Sequence, residues 1–131
     1  MISLKNLNIL CRDRLKEAEA LIKAKHYDGA YYLLGYAIEI GLKKRICRTL
    51  RWLDGYPSTE KEFSNFKTFK THDLDVLLQL SGVKDRIKRD YFLEWSIVNV
   101  WDPEVRYASR TKSAEMAKGM LGAVKKVLEQ L

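Results

Sequence analysis

The sequence predicts an all-α protein, an up-and-down antiparallel bundle of about five helices, with residues 1–131 as a single domain. Three observations carry that prediction. Apolar residues recur at spacings of three and four along most segments. Only two prolines and seven glycines punctuate 131 residues, too few for a chain of many short strands. The connections between periodic segments are mostly short, which makes successive helices antiparallel. A chain of this length buries roughly two-thirds of its unfolded surface in one core.

Leu4, Leu7, Cys11, Leu15, Ala18 and Ile22 form one stripe, with Lys5, Asp13, Lys16 and Glu19 on the other side, and predict a first amphipathic helix. Cys11 is in phase with the stripe and is expected as a buried, inert thiol. A second helix is expected from Asp28, whose carboxylate would cap its first turn, to about Leu53. Between Ala30 and Leu42 it is apolar on nearly every side, as befits a central helix with neighbours all round.

From Asp54 to Thr71 runs a long connection opened by the turn signals Asp54-Gly55-Tyr56-Pro57-Ser58. Within it Thr59 and Glu62 have the spacing to cap one helical turn, and Phe63, Phe66 and Phe69 stand among Lys61, Lys67 and Lys70. Leu74, Leu77 and Leu78 predict a short third helix ended by Ser81-Gly82. Ile87, Tyr91, Trp95 and Val98 predict a fourth, stopped at Asp102-Pro103. Ala114, Ala117, Leu121, Val124, Leu128 and Leu131 predict the last.

The net charge of +7 and pI of about 9.4 favour polyanionic partners: RNA, DNA or an acidic protein. Cys11 and Cys47 are too few for a disulfide framework, and the first residues lack the short apolar run of a secretory leader, so a cytoplasmic location is expected. The most apolar stretch carries Glu39 and falls short of the roughly 18 apolar residues that suggest a membrane span, so no membrane association is expected.

No phosphate-cradling glycine loop and no Gly-x-Ser-x-Gly elbow is present. With only His26 and His72 as imidazoles, no paired cysteines and no Glu-x-x-His, no metal and no cofactor is implied. Gly119-Met120-Leu121-Gly122 has the letters of a backbone-clamping loop but lies in a helix-period segment, so its glycines are expected at close-packing positions.

One polar constellation remains. Tyr32, Tyr36, Glu39 and Lys43 follow one another by four, three and four, so they stack along one face of the apolar central helix. They are either an ion pair between packed tyrosines or the wall of a groove. His72-Asp73 opens the third helix and Arg106-Tyr107 follows the Pro103 break, and such junctions commonly face grooves. His72 is the group among them suited to acid–base chemistry near neutral pH. Lys44, Arg48 and Arg51 form a second, basic stripe at the end of the central helix, able to meet phosphates or simply to face solvent.

The run His26-Tyr27-Asp28-Gly29-Ala30-Tyr31-Tyr32-Leu33-Leu34-Gly35-Tyr36-Ala37-Ile38-Glu39, followed by Leu42-Lys43, resembles the central segment of bacterial and archaeal HEPN proteins. Thr71-His72-Asp73-Leu74, Trp101-Asp102-Pro103-Glu104-Val105-Arg106-Tyr107 and the final helix extend the resemblance over nearly the whole chain. It implies a bundle of about five helices that usually dimerises, often partnered by a small nucleotidyltransferase in a toxin–antitoxin or two-part system, or a ribonuclease. The family ribonucleases carry an arginine four to six residues before a histidine, and no Arg precedes His26 or His72 at that spacing; Lys67 does, but lysine lacks the planar fork of arginine.

Three readings follow. The first is a homodimeric binding module whose groove, lined by Tyr36, Glu39, Lys43, His72, Asp73, Arg106 and Tyr107, holds a nucleotide or RNA phosphate. The second is a metal-independent RNase-like toxin with His72 as base and Lys43 and Arg106 as phosphate stabilisers. The third is a purely structural module that docks an acidic protein.

Overall fold

The computed structural model describes residues 1–107 and 110–131, and of Arg106 the backbone alone. Among these residues the chain forms seven α-helices: α1 (Leu4–Lys23), α2 (Tyr27–Leu50), α3 (Glu60–Phe63), α4 (Leu74–Leu80), α5 (Lys84–Asp90), α6 (Phe92–Val98) and α7 (Ala114–Glu129). Two 3₁₀ turns, Lys67–Phe69 and Pro103–Tyr107, lie in the connections. The fold is an all-helical bundle, as the periodicity predicts.

Ser3 caps α1 by accepting from the Asn6 amide at 3.2 Å. The short turn after Lys23 sends α2 back antiparallel. The Cys11 thiol donates to the Ala37 carbonyl at 3.4 Å and the Lys44 ammonium to Asn8 at 3.3 Å, so α1 numbers fall as α2 numbers rise. α2 buries eleven of its 24 residues and packs against α1, α4, α7 and the Pro103–Tyr107 turn, which makes it the axis of the bundle. α7 runs parallel to α2: Lys112 sits over the Tyr31 ring at 4.2 Å, Leu128 reaches Gly41, and Arg48 donates to the Leu131 carbonyl at 3.3 Å. That parallelism is what an up-and-down order requires of its second and fourth limbs, with α5 and α6 as the returning third. Arg86 closes the end by donating to both oxygens of Gln130.

Several boundaries depart from the sequence expectation for local reasons. Asp28 does not cap α2, whose N-cap position is His26. Its carboxylate instead accepts from the Thr111 and Lys112 amides at 3.1 and 2.8 Å, tying the approach to α7 onto the start of α2. α2 stops at Leu50 because Arg51 turns left-handed (φ 56°), with the Trp52 amide closing back on the Cys47 carbonyl. The fourth predicted helix is two, bent at Tyr91. Spacing does not reveal the bend, because the Tyr91 amide still bonds the Ile87 carbonyl and the Trp95 amide the Tyr91 carbonyl, so one register of buried side chains runs through it.

The connection 54–71 folds over one end of the bundle. Thr59 and Glu62 form the expected capping box of α3. Phe63 is buried, and the Phe69 ring lies 4.8 Å from Trp52, with Phe66 at 5.3 Å on the same indole. The phenylalanines therefore cover the core, and Phe66 alone of the three is strongly exposed.

The expectation that Gly119 and Gly122 are close-packing positions is overturned. Both are on the exposed side of α7, and a Cβ at either would meet nothing within 4 Å. With no packing reason for glycine there, Gly119→Ala and Gly122→Ala should each stabilise the fold by about 0.5–1 kcal/mol through helix propensity, read as a higher urea midpoint with unchanged slope.

Burial pushes the Cys11 thiol up and the Cys47 thiol up to about 11, so both are thiols of low reactivity. No helix among the described residues is long and apolar enough to cross a membrane.

Candidate functional site

The polar face of α2 is where the candidate residues meet. Glu39 is only 3% exposed, and a buried carboxylate requires partners. It has two: its Oε2 pairs with the Lys43 ammonium one turn along at 3.3 Å, and its Oε1 accepts from His72 Nδ1 at 2.5 Å. An ionised carboxylate only accepts, so Nδ1 is the donor of this bond and Nε2 is the ring nitrogen that Glu39 does not engage. His72 is delivered by the residue after it: Asp73 caps α4 through the Val76 amide at 3.1 Å and fixes the chain's entry into that helix.

Aromatic rings frame the dyad. Tyr36 meets Tyr32 edge-on at 5.0 Å, Trp101 at 5.2 Å and His72 at 6.5 Å. Trp101 lies flat on the backbone of Gly35, and the Pro103–Tyr107 turn beyond it packs against α2. Tyr56 stands on the other side, under the Lys43 ammonium at 5.4 Å, its hydroxyl donating to the Phe69 carbonyl at 2.6 Å. Burial raises that phenol far above its ordinary range, so it stays protonated and serves as a donor.

His72 borders two clefts of opposite character. One, of about 570 Å³, is walled by Tyr36 and Trp101 and carries Asp73, Asp75, Asp102 and Glu104. Three of these carboxylates do structural work: Asp73 caps α4, Asp75 accepts from the Trp95 indole at 3.1 Å, and Asp102 accepts from the Glu104 amide at 2.6 Å. The other, of about 370 Å³, presents Lys43, Lys70, Thr71 and Ser58 beside Tyr56 and His72. Lys70 pairs with Glu60 and Lys43 with Glu39, but each ammonium has three donors, so a phosphate oxygen can be added to either.

Tyr36, Glu39, Lys43, His72 and Asp73 are thus brought together. Tyr107 lies in the Pro103–Tyr107 turn and is 72% exposed. The side chain of Arg106, in the same turn, lies outside the described residues. The basic stripe is used for packing as well as charge: Lys44 binds Asn8 of α1, Arg48 binds the Leu131 carbonyl, and Arg51 forms the left-handed cap. Desolvation, together with the Arg48 and Arg12 charges, pulls the Lys44 ammonium below its ordinary range despite the opposing influence of Cys11. Sequence reasoning missed Tyr56, Ser58 and Thr71. Their only signal was membership of a connection too long to be a mere link. Among the described residues no cluster of three or more His, Cys, Asp or Glu side chains is placed to hold a metal ion.

The chain matches no protein-family model, no curated protein and no solved structure.

Proposed function

We propose that the protein is a HEPN-type module that binds a nucleotide or an RNA phosphate in the lysine-bearing cleft beside His72. It acts as a homodimer in the cytoplasm and as the partner of a minimal nucleotidyltransferase in a toxin–antitoxin or defence-type pair. The observation that carries the binding reading is the convergence of Lys43, Lys70 and Thr71 on one cleft beside His72. Ammonium and hydroxyl donors suit phosphate oxygens. The family and the partner rest on the sequence resemblance.

The test is fluorescence anisotropy of labelled single-stranded RNA and of a labelled ATP analogue at several salt concentrations. Saturable binding is expected. For RNA, Lys43→Ala should weaken it and reduce the salt slope by about 0.7 if that lysine meets one phosphate. Absence of binding at low salt would leave the structural module that docks an acidic protein as the better reading.

One observation favours a second reading. A histidine whose Nδ1 is held by a buried carboxylate has the arrangement of an oriented general base. In an RNase-like toxin, Nε2 of His72 would take the proton of a ribose hydroxyl while Lys43 and Arg106 met the charge on the phosphorus oxygens. RNA cleavage by the parent that persists undiminished in His72→Ala would remove this reading.

A further inference from the structure

We infer that the outer face of α6 is the surface on which a second copy of this chain docks. α6 is apolar on both sides. It buries Trp95 and Val98 in the bundle, yet Phe92, Leu93, Ile97 and the adjoining Val100 stand outward at 64, 73, 44 and 73% exposure. At 100° per residue these four fall within one sector opposite the buried pair. The polar side chain among them, Ser96, donates its hydroxyl to the Phe92 carbonyl one turn back at 2.7 Å, so its donor is satisfied within the helix. A helix that is hydrophobic all round is a helix with neighbours all round.

The surface area suits a copy of the same size. The chain exposes 7802 Å², about a tenth more than the roughly 7,100 Å² normal for a monomer of 15.3 kDa. The four outward side chains account for on the order of 400 Å² of apolar surface, within the range that marks functional patches. Two such faces pressed together would remove about 800 Å² of apolar area. With apolar atoms near two-thirds of a homodimer interface, that corresponds to about 1,200 Å² in all, the lower bound for a stable specific pair.

Charge selects the occupant. The chain carries +7, so two copies repel over most of their surfaces. From Phe92 to Trp101 the one ionisable residue is Glu94, and Lys126 neutralises it at 3.5 Å. A nucleic acid or an acidic protein would need unpaired cations on this face, and the basic residues that border it, Lys88, Arg89 and Lys126, are paired with Asp75, Asp90 and Glu94. A second copy needs no such cations. Val100 also lies in the wall of the larger cleft beside His72, so the pairing would close that cleft's outer side.

This deepens the two-copy part of the proposed reading and rests on it only for stoichiometry. The experiment is sedimentation equilibrium of the full chain over a wide concentration range, beside Leu93→Lys, Val100→Lys and the control Ile9→Lys on α1. The parent and the control should reach twice 15.3 kDa. Both patch variants should remain at 15.3 kDa with the parental far-UV circular dichroism. Val100→Lys lies past the end of α6 and keeps the test open if Leu93→Lys misfolds. A parent that stays monomeric throughout, or a dimer that survives both substitutions, would overturn the inference. So would a monomeric parent that binds anionic vesicles through Leu93. Leu93 lines neither cleft at His72, so RNA titration of its folded monomeric variant reports on ligand binding separately from docking.

Discussion

Gly35→Ala is expected to destabilise the protein by about 2–3 kcal/mol, although the same exchange in an ordinary helix interior gains about 1 kcal/mol. The sign is decided by Trp101. A Cβ on Gly35 would lie 1.9 Å from Cε2 and 2.0 Å from Cδ2 of an indole that is 3% exposed. The obstructing atoms belong to a rigid bicycle rather than to the tip of a flexible chain, and Tyr36 stands against it at 5.2 Å. The ring must lift off α2, and removing its packing altogether would cost about 3–5 kcal/mol. Since Trp101 leads into the Pro103–Tyr107 turn, lifting it also loosens a wall of the cleft at His72. Urea unfolding should show the loss, with tryptophan emission shifted to the red in the native state. Gly119→Ala on exposed α7 is the internal contrast, the same substitution with the opposite sign. If Gly35→Ala proves as stable as the parent, Trp101 does not lie on that face.

The contrast shows what a sequence does and does not disclose. The stripes that became α1, α4 and α7 were legible because an amphipathic helix writes its buried face directly into its spacing. Gly35 and Gly119 look alike in the sequence, since each sits in a helix-period run among apolar residues. What separates them is which neighbour arrives from elsewhere in the chain, and spacing carries no record of that. The same holds for Asp28, which the sequence places as the cap of α2 but whose carboxylate serves the amides of Thr111 and Lys112, more than 80 residues away. The stripe from Tyr36 to Lys43 could be seen as one face, and His72 as a suspect, because both features are local. That Glu39 joins Lys43 and His72 into one unit is a property of α4 folding onto α2, and the lining of the lysine cleft by Tyr56, Ser58 and Thr71 follows from an irregular connection without periodicity.

The Glu39–Lys43 pair within that unit yields a prediction of comparable size. Glu39→Leu should cost about 3 kcal/mol, because it leaves the Lys43 ammonium, whose side chain is only 17% exposed, without its carboxylate. Lys43→Met should cost less, about 1–3 kcal/mol, because Glu39 loses its ammonium but keeps the His72 hydrogen bond. The double variant Glu39→Leu/Lys43→Met should return to within about 1 kcal/mol of the parent, since an apolar pair of similar volume avoids desolvating two ions. His72 contributes little to this sum, because its side chain is 60% exposed and water can replace its carboxylate partner. A like cycle at Arg14 and Glu17 on α1, where the ions are far more solvated, should give a coupling below about 1 kcal/mol. Urea denaturation of the two cycles measures the difference, and additive effects at Glu39 and Lys43 would refute the pairing. The double variant also separates folding from function. With stability restored but the ammonium absent and His72 released from its carboxylate, it should bind RNA or nucleotide much more weakly than the parent. Undiminished binding would move the ligand site away from this face of α2 while leaving the bundle as described.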